Sequence, residues 1–99
     1  MPKYLFQGKL IAKPGLLDQL TEIMLQASKM ILVKAKGCQL YAVGQSEQED
    51  NTVYITEIWD SKQDHDLSLS VAGVKELISQ AIPLLLEMPT KGQEINLLN

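Results

Sequence analysis

The chain has 99 residues, 45% hydrophobic and 21% charged, with a net charge of −3 at pH 7. These values suit one soluble domain, residues 1–99, with a core of its own, and they exclude a disordered chain. The acidic balance disfavours nucleic acid, whose phosphates demand a concentrated basic surface.

Met1-Pro2-Lys3 carries no apolar leader, so no export signal is expected. Tyr4 to Ala12 then alternates as a strand. Tyr4, Phe6, Gly8, Leu10 and Ala12 share one face, and Leu5, Gln7, Lys9 and Ile11 the other. Lys13-Pro14-Gly15 reads as a turn. From Leu16 to about Lys36 the period becomes helical, with Leu17, Leu20, Met24, Ala27 and Ile31 on one stripe. Gly37 is the expected stop, preceded by Lys34 and Lys36 where cations favour the helix dipole. Within that helix the run Met30-Ile31-Leu32-Val33 is far too short to cross a bilayer, so no membrane association is expected.

Cys38 to Ser46 reads as a second strand. Its cysteine is the only one, which rules out an intrachain disulfide and fits a reducing, cytoplasmic location. The polar loop Glu47–Asn51 leads straight into a third strand, so the two strands should pair antiparallel. A short helix is expected from Ser61 to about Ser70, and a second from near Val71, ended by Pro83. Met88–Gly92 is a loop, and Gln93 to Leu98 a last strand.

The order β-α-β-β-α-β predicts an α+β, ferredoxin-like split βαβ domain: a four-stranded antiparallel sheet with helices on one face. Helices on one face leave the other open, and Leu5, Ile11, Tyr54 and Ile58 are the apolar residues expected there. An exposed apolar sheet face of that size calls for a partner, and a symmetric homodimer packed sheet to sheet would supply it.

The third strand and the helix start after it, Thr52 to His65, concentrate the chemistry. Val53, Ile55, Glu57 and Trp59 share one face of the strand, and Tyr54, Thr56 and Ile58 the other. A carboxylate beside the only Trp on a strand face needs a partner or a purpose if it is buried. Ser61 three residues before Asp64 forms a capping-box signal, which places the only His, His65, in the first or second turn of a helix near the end of that strand.

The run Glu57-Ile58-Trp59-Asp60-Ser61-Lys62-Gln63-Asp64-His65-Asp66-Leu67-Ser68-Leu69 resembles the antibiotic biosynthesis monooxygenase (ABM) family, also called quinol-monooxygenase-like. Lys13-Pro14-Gly15, Gly37-Cys38 and Pro83-Leu84 support the likeness. The resemblance implies a dimeric α/β barrel made from two ferredoxin-like sheets. It also implies a monooxygenase that acts on a hydroquinone or polyketide-type aromatic and molecular oxygen, without metal or flavin. Some relatives degrade haem. Where those carry an Asn on the first strand this chain has Gly8, and their haem-ligating His lies later in the helix than His65.

The candidate catalytic residues are His65 and Glu57. An imidazole with its ordinary pKa near about 6.5 can take a phenol proton at cellular pH, and the resulting anion can pass an electron to oxygen. A helix-surface His between Asp64 and Asp66 is the structural alternative. Glu57 either orients His65 or a substrate hydroxyl, or pairs with a Lys across the sheet. Trp59 is either a core anchor or the wall of an aromatic pocket. Tyr4, Tyr41 and Tyr54 can each offer a hydroxyl to a quinol, and Tyr41 and Tyr54 are taken with Trp59 as the substrate-binding set.

Cys38 lacks a basic setting and reads as inert. The acidic run Glu47–Asp50 lacks ligand spacing, so no metal site is expected there, and the resemblance implies no cofactor. RNA binding in this strand order would need a basic-aromatic signature that the strands lack. Two functions are carried forward: a cofactor-independent monooxygenase, and a non-catalytic dimer that binds or senses a small aromatic molecule.

Overall fold

The computed structural model describes residues 2–99. Its elements are β1 (Lys3–Ile11), α1 (Leu17–Lys34), β2 (Cys38–Gln45), β3 (Thr52–Trp59), α2 (Lys62–Leu67), α3 (Val74–Ala81) and β4 (Gln93–Leu97). Single 3-10 turns follow α2 (Ser68–Ser70) and α3 (Ile82–Leu84). The four strands form one antiparallel sheet in the order β2-β3-β1-β4. This is the ferredoxin-like arrangement, with the helices on one face. Among the described residues no helix is long and apolar enough to cross a membrane.

Period-two burial on β3 sets the layers. Val53, Ile55, Glu57 and Trp59 are buried under the helices, while Tyr54, Thr56 and Ile58 lie half-buried on the open face. From α1 the sheet receives Leu20, Met24, Ala27, Ser28 and Ile31, which are buried at alternating helical spacings. The core has two centres. One gathers Leu20, Met24, Val53, Ile55 and Leu85; the other gathers Tyr4, Ile31, Trp59 and Val74.

Several boundaries differ from expectation by a few residues, and three of them have a plain backbone reason. α1 closes at Lys34 because Ala35, although its N–H still reaches the Ile31 carbonyl, has extended backbone. The second expected helix starts at Val74 rather than Val71, because Val71 is extended and Gly73 adopts a φ of 91°. The first expected strand ends at Ile11, and Ala12 keeps only a single bridge to Leu85. Pro83 stands in the 3-10 turn after α3, as its missing amide requires.

Gly37 links α1 to the site end of the sheet. Its φ is 81°, its carbonyl accepts the Asp60 N–H at 2.8 Å, and a β-carbon there would run into the Asp64 carboxylate. Gly37→Ala is therefore expected to lower stability by about 1–3 kcal/mol, read as a drop in the urea midpoint with unchanged slope.

Candidate active site

β3 ends at Trp59 and α2 begins three residues later, so the strand end and the first helical turn face each other. Ser61 makes the turn rigid by accepting the Asp64 N–H at 3.1 Å, the expected N-cap. Ser68 Oγ donates to the His65 carbonyl at 2.6 Å and ties off the other end of α2. α2 itself contributes no buried residue, and its inward anchor is the half-buried His65 ring. That ring lies against Tyr4 and Phe6, with centroids 5.0 and 5.3 Å away, and meets the Trp59 ring edge-on at 6.0 Å.

Two carboxylates flank the imidazole. Nδ1 lies 3.0 Å from Asp66 Oδ1, and Nε2 faces Glu57 Oε1 at 3.9 Å. A proton on Nδ1 shared with Asp66 leaves Nε2 as the free lone pair of the neutral ring. Glu57 is 6% exposed and accepts the Trp59 Nε1–H at 2.9 Å. The buried carboxylate is thus partnered within its own strand, two residues on, and the expected alternative of a cross-sheet Lys is not what the structure shows.

Burial pushes the Glu57 carboxyl above the usual range, while the Trp59 N–H and the nearby imidazole pull it back. Its folded pKa is raised above the unfolded one, so Glu57 favours folding most below the unfolded value near about 4.3, and that contribution is lost as pH rises through the folded value. Glu57→Gln keeps the acceptor for Trp59 and removes the buried charge. Its urea stability is expected to fall less than the parent's between pH 4.5 and neutrality and to match or exceed the parent's at pH 7, with about pH 4.5 as the starting point.

The register across the sheet places Tyr41, Glu57, Phe6 and Glu94 in one row on the helix side. Tyr41 is half-buried beside Glu57, and burial, then the Glu57 charge, push its phenol above the usual range. It packs against the Tyr4–Trp59 centre of the core. A bulge between Cys38 and Leu40 brings this about, since it puts Cys38 and Tyr41 on the same face despite their odd separation. Cys38 lies at the edge of the cluster with its thiol pushed up to about 11, mainly by burial, which agrees with an unreactive thiol.

Tyr54 is not brought to this site. It lies on the open face of the sheet, opposite to Glu57 and Trp59, and its hydroxyl donates to Glu49, which also pairs with Lys9 at 2.9 Å. Strand parity is the reason: Tyr54 is an odd number of residues from both Glu57 and Trp59. Trp59 is wholly buried, which fits the core-anchor alternative; it stands behind His65 rather than at an open surface.

Four residues outside the expected set complete the cluster: Tyr4, Phe6, Asp66 and Glu94. Tyr4 is buried, and its hydroxyl donates to Glu94 Oε1 at 2.8 Å. Burial and that bond hold its phenol above the usual range, so it remains a donor. Lys62 reaches Asp66 at 3.1 Å and Glu94 at 3.6 Å, joining α2 to β4. The alternation of β1 put Tyr4 and Phe6 on the helix face in the sequence; their pairing with Trp59 and Glu57 follows from register alone.

Two surface cavities border the cluster. One, of about 340 Å³, includes Tyr4, Ser61, Lys62 and Glu94 in its lining. The other, of about 650 Å³, opens between α2 and α3 and includes Asp66 and Ile78. Among the described residues no group of three His, Cys, Asp or Glu side chains is placed to hold a metal ion.

Fold and cluster together define a small α+β domain with an acid–base cluster where the sheet meets α2, its Glu57 buried and its Asp66 at the surface. Residues 4–79 match the model of the antibiotic biosynthesis monooxygenase family, and the chain belongs to that family. Among solved structures, it resembles a provisionally assigned antibiotic biosynthesis monooxygenase from Chloroflexus aurantiacus at 30% identity and a TM-score of 0.85, over 98% of this chain and 94% of that one. A provisionally assigned member from Caulobacter crescentus has 13% identity and a TM-score of 0.90, with 99% and 92% covered. A third, from Nitrosomonas europaea, has 14% identity and a TM-score of 0.89, with 97% and 90% covered. The last two speak for the fold alone. A search of curated proteins gives no match.

Proposed function

We propose that the protein is a cofactor-independent monooxygenase for a planar phenolic, quinol or polyketide-type aromatic, with His65 as the base. The observation that supports this most is the His65 ring held between Asp66 at Nδ1 and Glu57 beyond Nε2, inside an aromatic cage. Nε2 takes the substrate's hydroxyl proton, and the two carboxylates stabilise the imidazolium that results. The aryl oxide passes an electron to molecular oxygen, and the radical pair couples at a ring carbon to a peroxide anion, which takes the proton back from His65 Nε2 to become a hydroperoxide. Loss of water, which carries off the hydrogen of that carbon and the outer oxygen, leaves the other oxygen atom there as a carbonyl. Tyr41 supplies the hydroxyl donor, Tyr4, whose own proton is given to Glu94, walls the imidazole, and Trp59 holds Glu57 in place.

Oxygen uptake by metal-stripped protein with a panel of hydroquinones and anthrones tests this reading. Uptake without added cofactor is the expected result. Binding with no uptake by any compound would overturn it in favour of a non-catalytic aromatic-binding domain. A Soret band on titration with haemin would point to haem instead, against which Gly8 stands: a β-carbon there already lies 3.1 Å from the Phe6 ring.

The same reading includes a homodimer. Leu40, Ile58, Leu5 and Ile95 form an apolar row across all four strands of the open sheet face, and Leu40 and Ile95 are 39% and 42% exposed. A second copy packed on this row would remove it from water. Ile58→Glu is expected to convert a dimer into a monomer in light scattering at micromolar concentration; a parent that is already monomeric would sink the dimer.

A further inference from the structure

Lys62 stands between the Ser61 cap and the His65 ring, and the acid–base chemistry above gives it no task. Its ammonium lies 3.1 Å from Asp66 Oδ2 and 3.4 Å from Oδ1, one turn further along α2. It also lies 3.6 Å from Glu94 Oε1 on β4, the oxygen that accepts the Tyr4 hydroxyl at 2.8 Å. Asp66 Oδ1 meets His65 Nδ1 at 3.0 Å, and the Tyr4 ring lies against the imidazole at 5.0 Å. These contacts close a circuit that runs from His65 through Asp66, Lys62, Glu94 and Tyr4 back to His65. Its members come from α2, β4 and β1, and Lys62 is the one that joins the two carboxylates.

α2 needs such a tie. None of its residues is buried, so little packing holds the turn that carries His65. The Asp66 side chain is 53% exposed and turns to water unless its second oxygen is held. An isolated surface pair holds little, whereas charges tied into one network hold more. The imidazole proton depends on this, because each ring nitrogen faces a carboxylate. Asp66 is 3.0 Å from Nδ1, and Glu57 is 3.9 Å from Nε2, beyond hydrogen-bond range and already accepting the Trp59 N–H. A neutral ring carries one N–H, which goes to the better-placed acceptor. With Lys62 on Oδ2, Oδ1 stays turned to the ring and the proton stays on Nδ1. With Asp66 released, the proton moves to Nε2, the atom that must be free to act as a base.

We infer that Lys62 is a positioning residue for His65: it holds Asp66 on Nδ1 and so keeps the lone pair on Nε2. That this lone pair then serves as a base rests on the reading above, whereas the place of the proton does not.

The test reads the proton directly and needs no substrate. The chain has one His, so long-range proton–nitrogen NMR spectra of the full chain show its two ring nitrogens alone. They are recorded at about pH 8.5, where neutral imidazole predominates. The parent is expected to carry the proton chiefly on Nδ1. Lys62→Met keeps the aliphatic stem and removes the charge, and it should lower the ratio of Nδ1–H to Nε2–H by about two- to fivefold, the worth of an exposed pair. Lys62→Arg should keep the parent ratio. About 1 M sodium chloride, where the Debye length is about 3 Å, should shift the parent toward the ratio of Lys62→Met and leave that variant unmoved. With a substrate that is turned over, kcat should fall in step with the fraction left on Nδ1, at unchanged KM. A parent proton on Nε2, or a ratio that Lys62→Met leaves unchanged, would overturn the role of Lys62. A ratio that shifts as expected while no compound is oxidised would overturn His65 as the base and leave the hold of Lys62 on Asp66 standing.

Discussion

His65→Ala is expected to lower oxygen uptake with the best hydroquinone or anthrone by about 10²–10⁴-fold, the range for losing a positioned general base. The fold should survive, because the ring is half-buried and α2 keeps its Ser61 cap. Two further results separate a base from a mere packing residue. Added imidazole should restore part of the rate in His65→Ala, since the cage of Tyr4 and Phe6 leaves a slot of its shape. Asp66→Asn should lower kcat with little change in KM, because the neutral amide no longer fixes the proton on Nδ1 or stabilises the imidazolium. Full activity in His65→Ala would remove it from the mechanism.

Trp59→Ala is expected to lose about 3–5 kcal/mol from the emptied volume alone, a large part of the roughly 5–15 kcal/mol that holds a small domain folded. The indole is fully buried at the centre of the second core cluster and is the donor to Glu57. Trp59→Phe separates the two contributions. It keeps most of the volume and removes the Nε1–H, leaving a buried carboxylate without its donor, at a cost of about 1–3 kcal/mol. If that account is right, adding Glu57→Met to Trp59→Phe should recover much of the loss, because no buried charge is then left unpartnered. Urea unfolding of the four proteins checks this, and strictly additive effects would mean that the bond contributes nothing.

Several features are readable from local pattern because local physics decides them. The change of period from two to three-and-four at Leu16 and back at Cys38 marks α1 between two strands. Ser61 and Asp64 mark the start of α2, and the alternation of Thr52–Trp59 puts Glu57 and Trp59 together on the buried face. Family likeness rests on the same stretch and agrees with the match over residues 4–79. Tyr54 does not join Trp59 in a substrate-binding set, and its parity in the same strand already separates the two.

What the amino-acid sequence alone determined, then, is the order of elements, the layer each strand residue faces, and the closeness of Trp59, Glu57 and His65. All of these depend on residues a few positions apart, where strand and helix geometry leave little choice. Only the tertiary structure decided the remainder. Register set Phe6 and Tyr4 beside Glu57 and Trp59, although they lie about fifty positions away in the chain. The bulge before Leu40 turned Tyr41 inward, and the return of β4 along β1 gave Tyr4 its acceptor, Glu94. The groove beside Asp66 is lined by residues of α2, α3 and the 3-10 turns after them, which only the fold brings together. Contacts of that kind are fixed by which strands pair and in what register, and no local spacing carries that information.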